Sequence, residues 1–246
     1  MEKGRKIAVK KRGFIIAIDG PAGAGKSTTA RLCAKELGFL YLDTGAMYRA
    51  ITLKALQSKT DIYNPQELNQ LLNHSRVDLK WQKGLKVFLD GRDVTRKIRT
   101  PEVDRLVSEV AAQKAVREKM VAEQRRIVRE WQGGIVCEGR DIGSVVFPDA
   151  QLKIFLECDL AERIKRRTRE LLDYRDSKAK SQKLKVKFAD IFRKVERNLI
   201  QRDRIDSTRR LSPLRRLPEA VLVDTTHLTV DEQVAVVCAL ALERCR

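Results

Sequence analysis

The residues best suited to chemistry lie in one short segment, residues 20–27, which reads Gly-Pro-Ala-Gly-Ala-Gly-Lys-Ser. This is a complete G-x-x-x-x-G-K-S phosphate-binding loop between an apolar run and a helical stretch. The glycines allow backbone N–H groups to point at a phosphate, and the positive end of the helix dipole lies beside them. Lys26 would supply a cation for the β- and γ-phosphates, and Ser27 a hydroxyl for Mg²⁺. The predicted nucleoside triphosphate site comprises Gly20, Pro21, Ala22, Gly23, Ala24, Gly25, Lys26, Ser27 and Thr28.

Apolar runs alternate with helical stretches on both sides of this loop, a pattern that predicts an α/β fold with a parallel sheet. The candidate strands are residues 14–18, 39–42, 135–137, 152–156 and 221–223. Each run leads into polar residues, and ligands of open parallel sheets collect at the carboxyl edge of the strands. Asp43, Arg140 and Asp141 are therefore expected close to the phosphate loop.

Residues 60–100 interrupt the alternation. Apolar residues at positions 77, 79 and 81, and again at 85, 87 and 89, alternate with polar ones around Lys83-Gly84. This period of two predicts a β-hairpin in a small antiparallel lobe, inserted into a core of residues 14–59 and 101–246. Beyond the lobe the pattern predicts one long helix over residues 101–131. Two further helices, 161–172 and 187–202, are expected on either side of a charged joint, 173–184.

The composition limits the class of protein. The chain has 246 residues, 43% of them hydrophobic, which suits one large domain with a core. No apolar run approaches the roughly 18 residues of a membrane span. The basic segment 1–13 lacks the apolar stretch of a secretory signal and is predicted to be a disordered tail before the folded residues 14–246. Five cysteines without C-x-x-C spacing indicate free thiols in a reducing cytoplasm.

The formal net charge of +18 has two interpretations. It is typical of a general nucleic-acid binder, and it also suits an enzyme whose substrates are polyanions. Aromatic residues make up only 5% of the chain, and they are not interleaved with the basic residues in a stacking pattern. The charge alone therefore leaves both interpretations open.

A set of arginines narrows the reaction class. The chain has no Asn-Lys-x-Asp string for reading guanine, and it is short for a motor ATPase with an output domain. Phosphoryl transfer between two nucleotides brings several negative charges together, which arginines neutralise with paired hydrogen bonds. Arginines expected at loop positions are Arg49, Arg99, Arg117, Arg140, Arg202 and Arg209. Together with the phosphate loop they favour a small-molecule kinase.

Six strings then resemble the bacterial cytidylate kinases, in the same order along the chain. They are IDGPAGAGKST at 18–28, LDTGAMYR at 42–49, IRT at 98–100, EGRDIG at 138–143, VVFPDA at 145–150 and RDRIDS at 202–207. The resemblance implies transfer of the ATP γ-phosphoryl group to CMP or dCMP with Mg²⁺. It also implies a nucleoside-monophosphate-kinase fold: a five-stranded parallel sheet with helices on both faces, the small inserted lobe and a helical lid region at 160–210.

The same resemblance implies roles for individual residues. Thr44, Arg49 and Arg140 would contact the acceptor phosphate, with Asp43 and Arg99 beside them, although Asp43 could equally cap the helix that follows. Ser108, Arg117 and Asp141 would read the cytosine base, and Arg202 and Asp206 would hold the ribose. Arg209 resembles a lid arginine near the phosphates in transfer. The implied catalytic residues are Lys26, Arg140, Arg202 and Arg209.

The chemistry of cytosine fits these roles. The Asp141 carboxylate can accept from the exocyclic amine, whereas uracil would place a carbonyl there, so CMP is expected to be preferred over UMP. We further expect a cytoplasmic monomer whose partners are nucleotides, with no membrane and no specific nucleic acid. Two alternatives stay open at this point: a kinase for another acceptor, such as a different nucleoside monophosphate or shikimate, and a nucleic-acid-binding protein.

Overall fold

A computed structural model describes residues 13–81, 84–176 and 184–245, with the side chains of 173–176 and 184–187 left out. Nearly all of the predicted tail at 1–13 lies outside the described residues. So do residues 177–183 of the predicted joint and residues 82–83 of the hairpin turn. In the described part of the chain, no helix combines the length and the apolar character needed to cross a bilayer.

Eight strands and eight α-helices occur within the described residues. In chain order they are β1 Ile15–Asp19, α1 Lys26–Leu37, β2 Leu40–Asp43, α2 Thr44–Ser58, α3 Pro65–Asn73, β3 Val77–Trp81, β4 Leu85–Leu89, β5 Arg92–Asp93, α4 Pro101–Ala112, α5 Lys114–Glu130, β6 Ile135–Glu138, β7 Leu152–Glu157, α6 Leu160–Asp176, α7 Leu184–Thr208, β8 Val221–Asp224 and α8 Val230–Arg244. A 3-10 turn at Lys97–Arg99 and a π-helical turn at Ile142–Val146 complete the list.

The central sheet has the strand order β2-β6-β1-β7-β8, and every pairing in it is parallel. Side chains alternate between its two faces because strands have a period of two. Ile16 and Ile18 of β1 pack in a core with α1 and α8, whereas Ala17 joins a core with α2, α4 and α5. The predicted five-stranded parallel sheet with helices on both faces is therefore confirmed.

The inserted segment holds a hairpin and a helix. β3 and β4 pair antiparallel with Val77 opposite Leu89, as the period of two predicts, and the short β5 adds a third strand. Helix α3 was not predicted, although Asn64 before Pro65 is a typical helix start and accepts the first backbone N–H groups. The apolar face of the hairpin continues the core around α2. The division of the chain into core, lobe and lid stays a prediction.

The predicted single helix over 101–131 is wrong. The chain forms α4 and α5, separated by Gln113 in an extended conformation with ψ 130°. No proline or glycine marks this break, and the helical periodicity of the sequence continues across it, so the pattern predicts a single helix. Helix α7 is also longer than predicted and continues to Thr208. Arg202 and Asp206 consequently lie one turn apart on the same face of a helix.

Candidate active site

The phosphate loop joins the end of β1 to the start of α1, at the carboxyl edge of the sheet. Gly25 precedes α1 with φ 87°, and a Cβ there would lie 2.7 Å from the Gln233 side-chain oxygen. Gly20 has φ 150°, and a Cβ there would come within 2.2 Å of the Leu156 carbonyl oxygen. Glycine is thus required at position 20 by the close approach of the β7 backbone, and at position 25 by the left-handed φ, in addition to any phosphate.

Lys26 and Ser27 lie beside charged residues at the end of β6 and in the turn that follows it. The buried Lys26 ammonium donates to the Pro21 carbonyl at 2.6 Å. Burial, followed by the nearby Arg140, lowers the pKa of Lys26 to about 7. The Ser27 hydroxyl donates to the Glu138 carboxylate at 2.5 Å, and burial raises the pKa of that carboxyl group. A phosphate anion bound here would therefore stabilise the charged form of Lys26, which burial and Arg140 disfavour.

Asp19, the last residue of β1, anchors the turn that follows β6. Its two carboxylate oxygens accept the backbone N–H groups of Ile142 and Gly143, each at 2.8 Å. This contact fixes the chain directly after Arg140 and Asp141 against the end of β1. Burial raises the pKa of Asp19 to about 6, in spite of the two hydrogen bonds, which lower it.

The raised pKa of Asp19 gives a pH-dependent stability. The carboxyl group binds a proton more tightly in the folded chain than in the unfolded one, so its favourable contribution is full below pH 3.8 and is lost as the pH rises through about 6. At ~1.4 kcal/mol per pKa unit the loss is about 3 kcal/mol. Urea unfolding between pH 4.5 and 7 should show this decline in the unmodified chain and a smaller one in Asp19→Asn. Equal slopes for the two proteins would contradict the assignment.

One buried cluster joins α5 to the turn after β6. Arg117 of α5 donates a short hydrogen bond to the Asp141 carboxylate, and its guanidinium lies 5.6 Å from the centre of the Tyr48 ring. Arg209 approaches the other Asp141 oxygen at 3.6 Å. Ser108 is buried on α4, and among the described residues it forms no hydrogen bond with Arg117 or Asp141. The cluster offers one carboxylate and two guanidiniums to a planar polar ligand.

A second cluster lies between this one and the phosphate loop. Arg140 donates to Asp206 at 2.8 Å, and Arg140, Arg209 and Arg202 hold the pKa of Asp206 low although burial would raise it. Burial, then Arg49 and Arg140, lower the pKa of Arg202 to about 9, which leaves it charged at neutral pH. Arg49 pairs with Asp104 at 2.8 Å. Guanidiniums from α2, α7 and the turn after β6 therefore converge here.

Several of these guanidiniums have unused hydrogen-bonding capacity. Arg202 Nε, Arg209 Nη2 and Arg49 Nη1 are buried and make no hydrogen bond within the described residues, although the latter two lie in ion pairs. Buried donors in native proteins are nearly always satisfied, so unpaired ones call for an explanation. An anion held among them would accept these bonds.

Asp43 and Thr44 lie beside Glu138 at the end of β6, and Glu138 in turn accepts a hydrogen bond from Ser27 of the phosphate loop. Asp43 caps α2 by accepting the Ala46 N–H at 2.8 Å, and it also pairs with Arg99 at 3.3 Å. The Thr44 hydroxyl donates to the Glu138 carbonyl at 2.7 Å. The capping alternative for Asp43 is therefore confirmed, and the pair with Arg99 brings that exposed side chain to the same edge.

The structure corrects one expectation about the arginines. They are not mainly on loops: Arg49 lies on α2, Arg117 on α5 and Arg202 on α7. Arg209 directly follows α7 and contacts Asp141 and Asp206, so it lies beside the Arg117–Asp141 pair. Sequence spacing does not show which helix faces meet in the fold. These positions depend on how α5 packs against α2 and α4, and how α7 packs against α4 and α6.

Two further residues, not predicted from the sequence, contribute to the site. Arg163 of α6 donates to the Ala22 carbonyl of the phosphate loop at 3.1 Å and to Asp203 of α7 at 2.6 Å. It thereby links the loop to both helices of the α6–α7 pair. Asp104 of α4 contacts Arg49 and Arg167. Both residues occur in charged helices where no sequence pattern sets them apart.

The arrangement places a phosphate loop next to an arginine cluster and a carboxylate–guanidinium pair, as expected of a nucleotide kinase. The sequence model of the family described as cytidylate kinase matches residues 16–243. The chain belongs to the cytidylate kinase family. It is an ATP-dependent phosphotransferase, and the reaction and enzyme class predicted from the sequence are confirmed at the level of this family.

Individual relatives support the assignment. The cytidylate kinase of Carboxydothermus hydrogenoformans is 45% identical over 221 residues, which cover 89% of this chain and 93% of that protein. The cytidylate kinase of Geobacillus thermodenitrificans is 45% identical over 235 residues, 95% and 99% of the two chains. A solved gluconokinase from Sinorhizobium meliloti covers 95% of this chain and 94% of its own, at 12% identity and a TM-score of 0.37. That likeness is too distant to bear on function.

Proposed function

We propose that this cytidylate kinase family member transfers the γ-phosphoryl group of ATP to CMP and dCMP through the residues that converge at the carboxyl edge of the sheet. The phosphate loop, residues 20–28, holds the triphosphate, with Lys26 facing its β- and γ-phosphates. The arginine cluster holds the acceptor phosphate, and the Arg117–Asp141 pair reads the base. The single observation that carries this proposal is the convergence of buried, incompletely paired guanidiniums beside the loop.

The acceptor phosphate is assigned to Arg49, Arg140 and Arg202. Their guanidiniums come from three separate elements, and Arg49 Nη1 and Arg202 Nε form no hydrogen bond within the described residues. A phosphate monoester supplies the acceptor oxygens and the negative charge that these side chains lack. The charge that develops as the phosphoryl group moves would be stabilised by the same donors and by Lys26, without reorganisation. Thr44, Asp43 and Arg99 border this position.

The base is assigned to Arg117 and Asp141, with Arg209 supporting the carboxylate. In the described residues one Asp141 oxygen accepts from Arg117 and the other lies 3.6 Å from Arg209, which fixes the direction of the carboxylate. An ionised carboxylate accepts from an exocyclic amine and repels a carbonyl oxygen. Asp206 and Arg202, one turn apart on α7, are placed to contact the sugar. Ser108 keeps its proposed role only if the base reaches α4.

A divalent cation fits beside Ser27. Within the described ranges no group of three or more His, Cys, Asp or Glu side chains could bind a metal ion by itself. Mg²⁺ commonly takes one protein ligand together with phosphate oxygens and waters. The Ser27 hydroxyl and the adjacent Glu138 carboxylate match this need. When bound, the ion would neutralise negative charge on the triphosphate.

Measuring ADP formation with CMP, dCMP, UMP and AMP as acceptors tests the proposal. We expect kcat/KM for CMP and dCMP to exceed that for UMP and AMP by at least about 100-fold, because a buried polar site rejects a base that leaves its groups unpaired. Equal efficiency with UMP would contradict the role of Asp141. Turnover with AMP alone would place the chain's acceptor outside the pyrimidines.

We also propose that the protein acts as a monomer, with residues 60–100 as the acceptor-side lobe and 160–210 as the lid region. The proposal is supported by the position of all the described site residues within one chain. Light scattering at assay concentration is expected to give a mass close to 28.1 kDa. A stable dimer would contradict this part of the proposal.

A further inference from the structure

Asp104 lies where three helices meet the acceptor side of the site. It occupies the first turn of α4, and one carboxylate oxygen is 2.8 Å from the Arg49 guanidinium of α2. The other oxygen accepts a short hydrogen bond from Arg167 of α6. An aspartate in the first turn of a helix ordinarily serves only the helix dipole. Here both oxygens face guanidiniums of other elements: Oδ2 in a hydrogen bond, and Oδ1 in an ion pair without a hydrogen bond in the described part of the chain.

The charges around Asp104 are unbalanced without it. Burial by itself would raise the pKa of Asp104, but Arg49, Arg167 and Arg202 hold it below its ordinary value. The charged form of Arg202 is in turn disfavoured by burial and by the like charges of Arg49 and Arg140. Like charges on buried guanidiniums repel each other strongly in a low-dielectric setting. Asp104 is thus a shared counter-charge for arginines that must lie close together.

The position of Asp104 also connects elements. Helix α4 packs against α2 and α7, and the Arg167 contact adds α6. The side chains of Asp104 and Arg49 are largely buried, with 13% and 17% exposure, whereas Arg167 is 32% exposed. A buried pair holds its geometry better than a surface pair, which water and salt weaken.

We propose that Asp104 is a positioning residue that holds Arg49 in the orientation needed to receive the acceptor phosphate, and that ties α6 to the acceptor side through Arg167. The inference rests on the proposed role of Arg49. Asp104 itself touches no reacting group: a negative charge beside a phosphate would oppose binding, so its effect is transmitted through the guanidiniums. Loss of the carboxylate leaves Arg49 free to turn away from its neighbours, which repel it.

The test is a comparison of Asp104→Asn with the unmodified chain, with KM measured separately for CMP and ATP. We expect the KM for CMP to rise about tenfold, which corresponds to ~1.4 kcal/mol, while the KM for ATP and the kcat change less than about twofold. A merely structural role would lower the active fraction and hence kcat, and would leave the KM for CMP unchanged. That outcome would overturn the inference.

Arg167→Met supplies a second, independent readout. Its effect on the KM for CMP should be largely absent in the Asp104→Asn background, because both substitutions break the same link. Effects that multiply, or a rise in the KM for ATP alone, would overturn the link to α6. Should Asp104→Asn fail to fold, Asp104→Glu, which keeps the charge, and Arg167→Met alone still decide the question.

Glu219→Gln is the matched control, because it breaks an ion pair of similar length, 2.8 Å to Lys153, at an exposed position. It should leave both KM values unchanged. The measurements distinguish an error in the proposed function from an error in this inference. If the unmodified chain does not phosphorylate CMP, the function fails; if it does, and Asp104→Asn binds CMP normally, only the inference fails.

Discussion

Replacing Lys26 with alanine is expected to lower kcat by about 10³-fold or more, the scale of losing one preorganised charge at a transferring phosphoryl group. The ammonium is buried beside Glu138 and Arg140 and donates to the Pro21 carbonyl at 2.6 Å. Since burial, and then Arg140, lower the pKa of Lys26, its charge is disfavoured until an anion is present. Its contribution is therefore greatest where phosphate charge develops. The assay is ADP formation with saturating ATP and CMP.

The fold should survive this substitution. Burial, Arg140 and Arg202 disfavour the charge of Lys26 and outweigh Glu138 and Asp206, so its removal costs little stability and the Tm should not fall by more than a few degrees. Lys35→Ala is the control, because Lys35 is exposed on the same helix, α1, and contacts none of the site residues. It should retain full turnover. Substantial turnover by Lys26→Ala, in a protein of normal Tm, would exclude Lys26 from the phosphoryl transfer.

Replacing Asp141 with asparagine is expected to reduce the preference for CMP over UMP by at least about 100-fold, measured as the ratio of the two kcat/KM values. An asparagine amide can turn its N–H₂ group toward a carbonyl, which the carboxylate cannot do. The ratio is the right readout, because the substitution also removes the counter-charge of Arg117 and one of the two that face Arg209, and is expected to lower stability. A lower folded fraction reduces both rates equally and leaves the ratio unchanged.

Asp149→Asn provides the comparison for Asp141. Asp149 is exposed in the turn before β7, and its carbonyl oxygen accepts from Gln151. The substitution has the same chemistry at a position outside the two clusters, so the ratio of CMP to UMP should not change. If Asp141→Asn kept the full preference for CMP, the base would be read elsewhere and the assignment to the Arg117 pair would be wrong.

Local chemistry allowed much of the fold to be predicted. Helix α1 begins at Lys26 and ends before Gly38, which has φ 69°, as the phosphate loop and the terminal glycine indicate. The central strands β1, β2 and β6 begin with continuous apolar runs, typical of strands buried on both faces, whereas β7 includes Lys153 and the edge strand β8 exposes Leu222. The hairpin follows the period of two. Where the signal was ambiguous the prediction failed, as at Gln113, because helical periodicity does not reveal a break that tertiary packing imposes.

The site was predictable only in part. Asp43 and Arg140 were placed correctly at the carboxyl edge, because a parallel sheet brings the ends of its strands together. The true neighbours of Arg209, Asp104 and Arg163 were not predictable, since each lies on or beside a helix whose rotation and docking decide what it touches. Asp19 anchors the backbone after Asp141, a contact between distant residues that no local sequence pattern indicates.

By itself the sequence determined the phosphate loop, the class of fold and the family of this protein. These depend on contiguous residues whose backbone requirements and periodicity are local. Only the tertiary structure decided which guanidinium pairs with which carboxylate, and which of them remain incompletely paired. The reason is physical: Coulomb and hydrogen-bond energies depend on distances of a few ångströms between side chains far apart in the chain, and these distances exist only once the helices have packed onto the sheet.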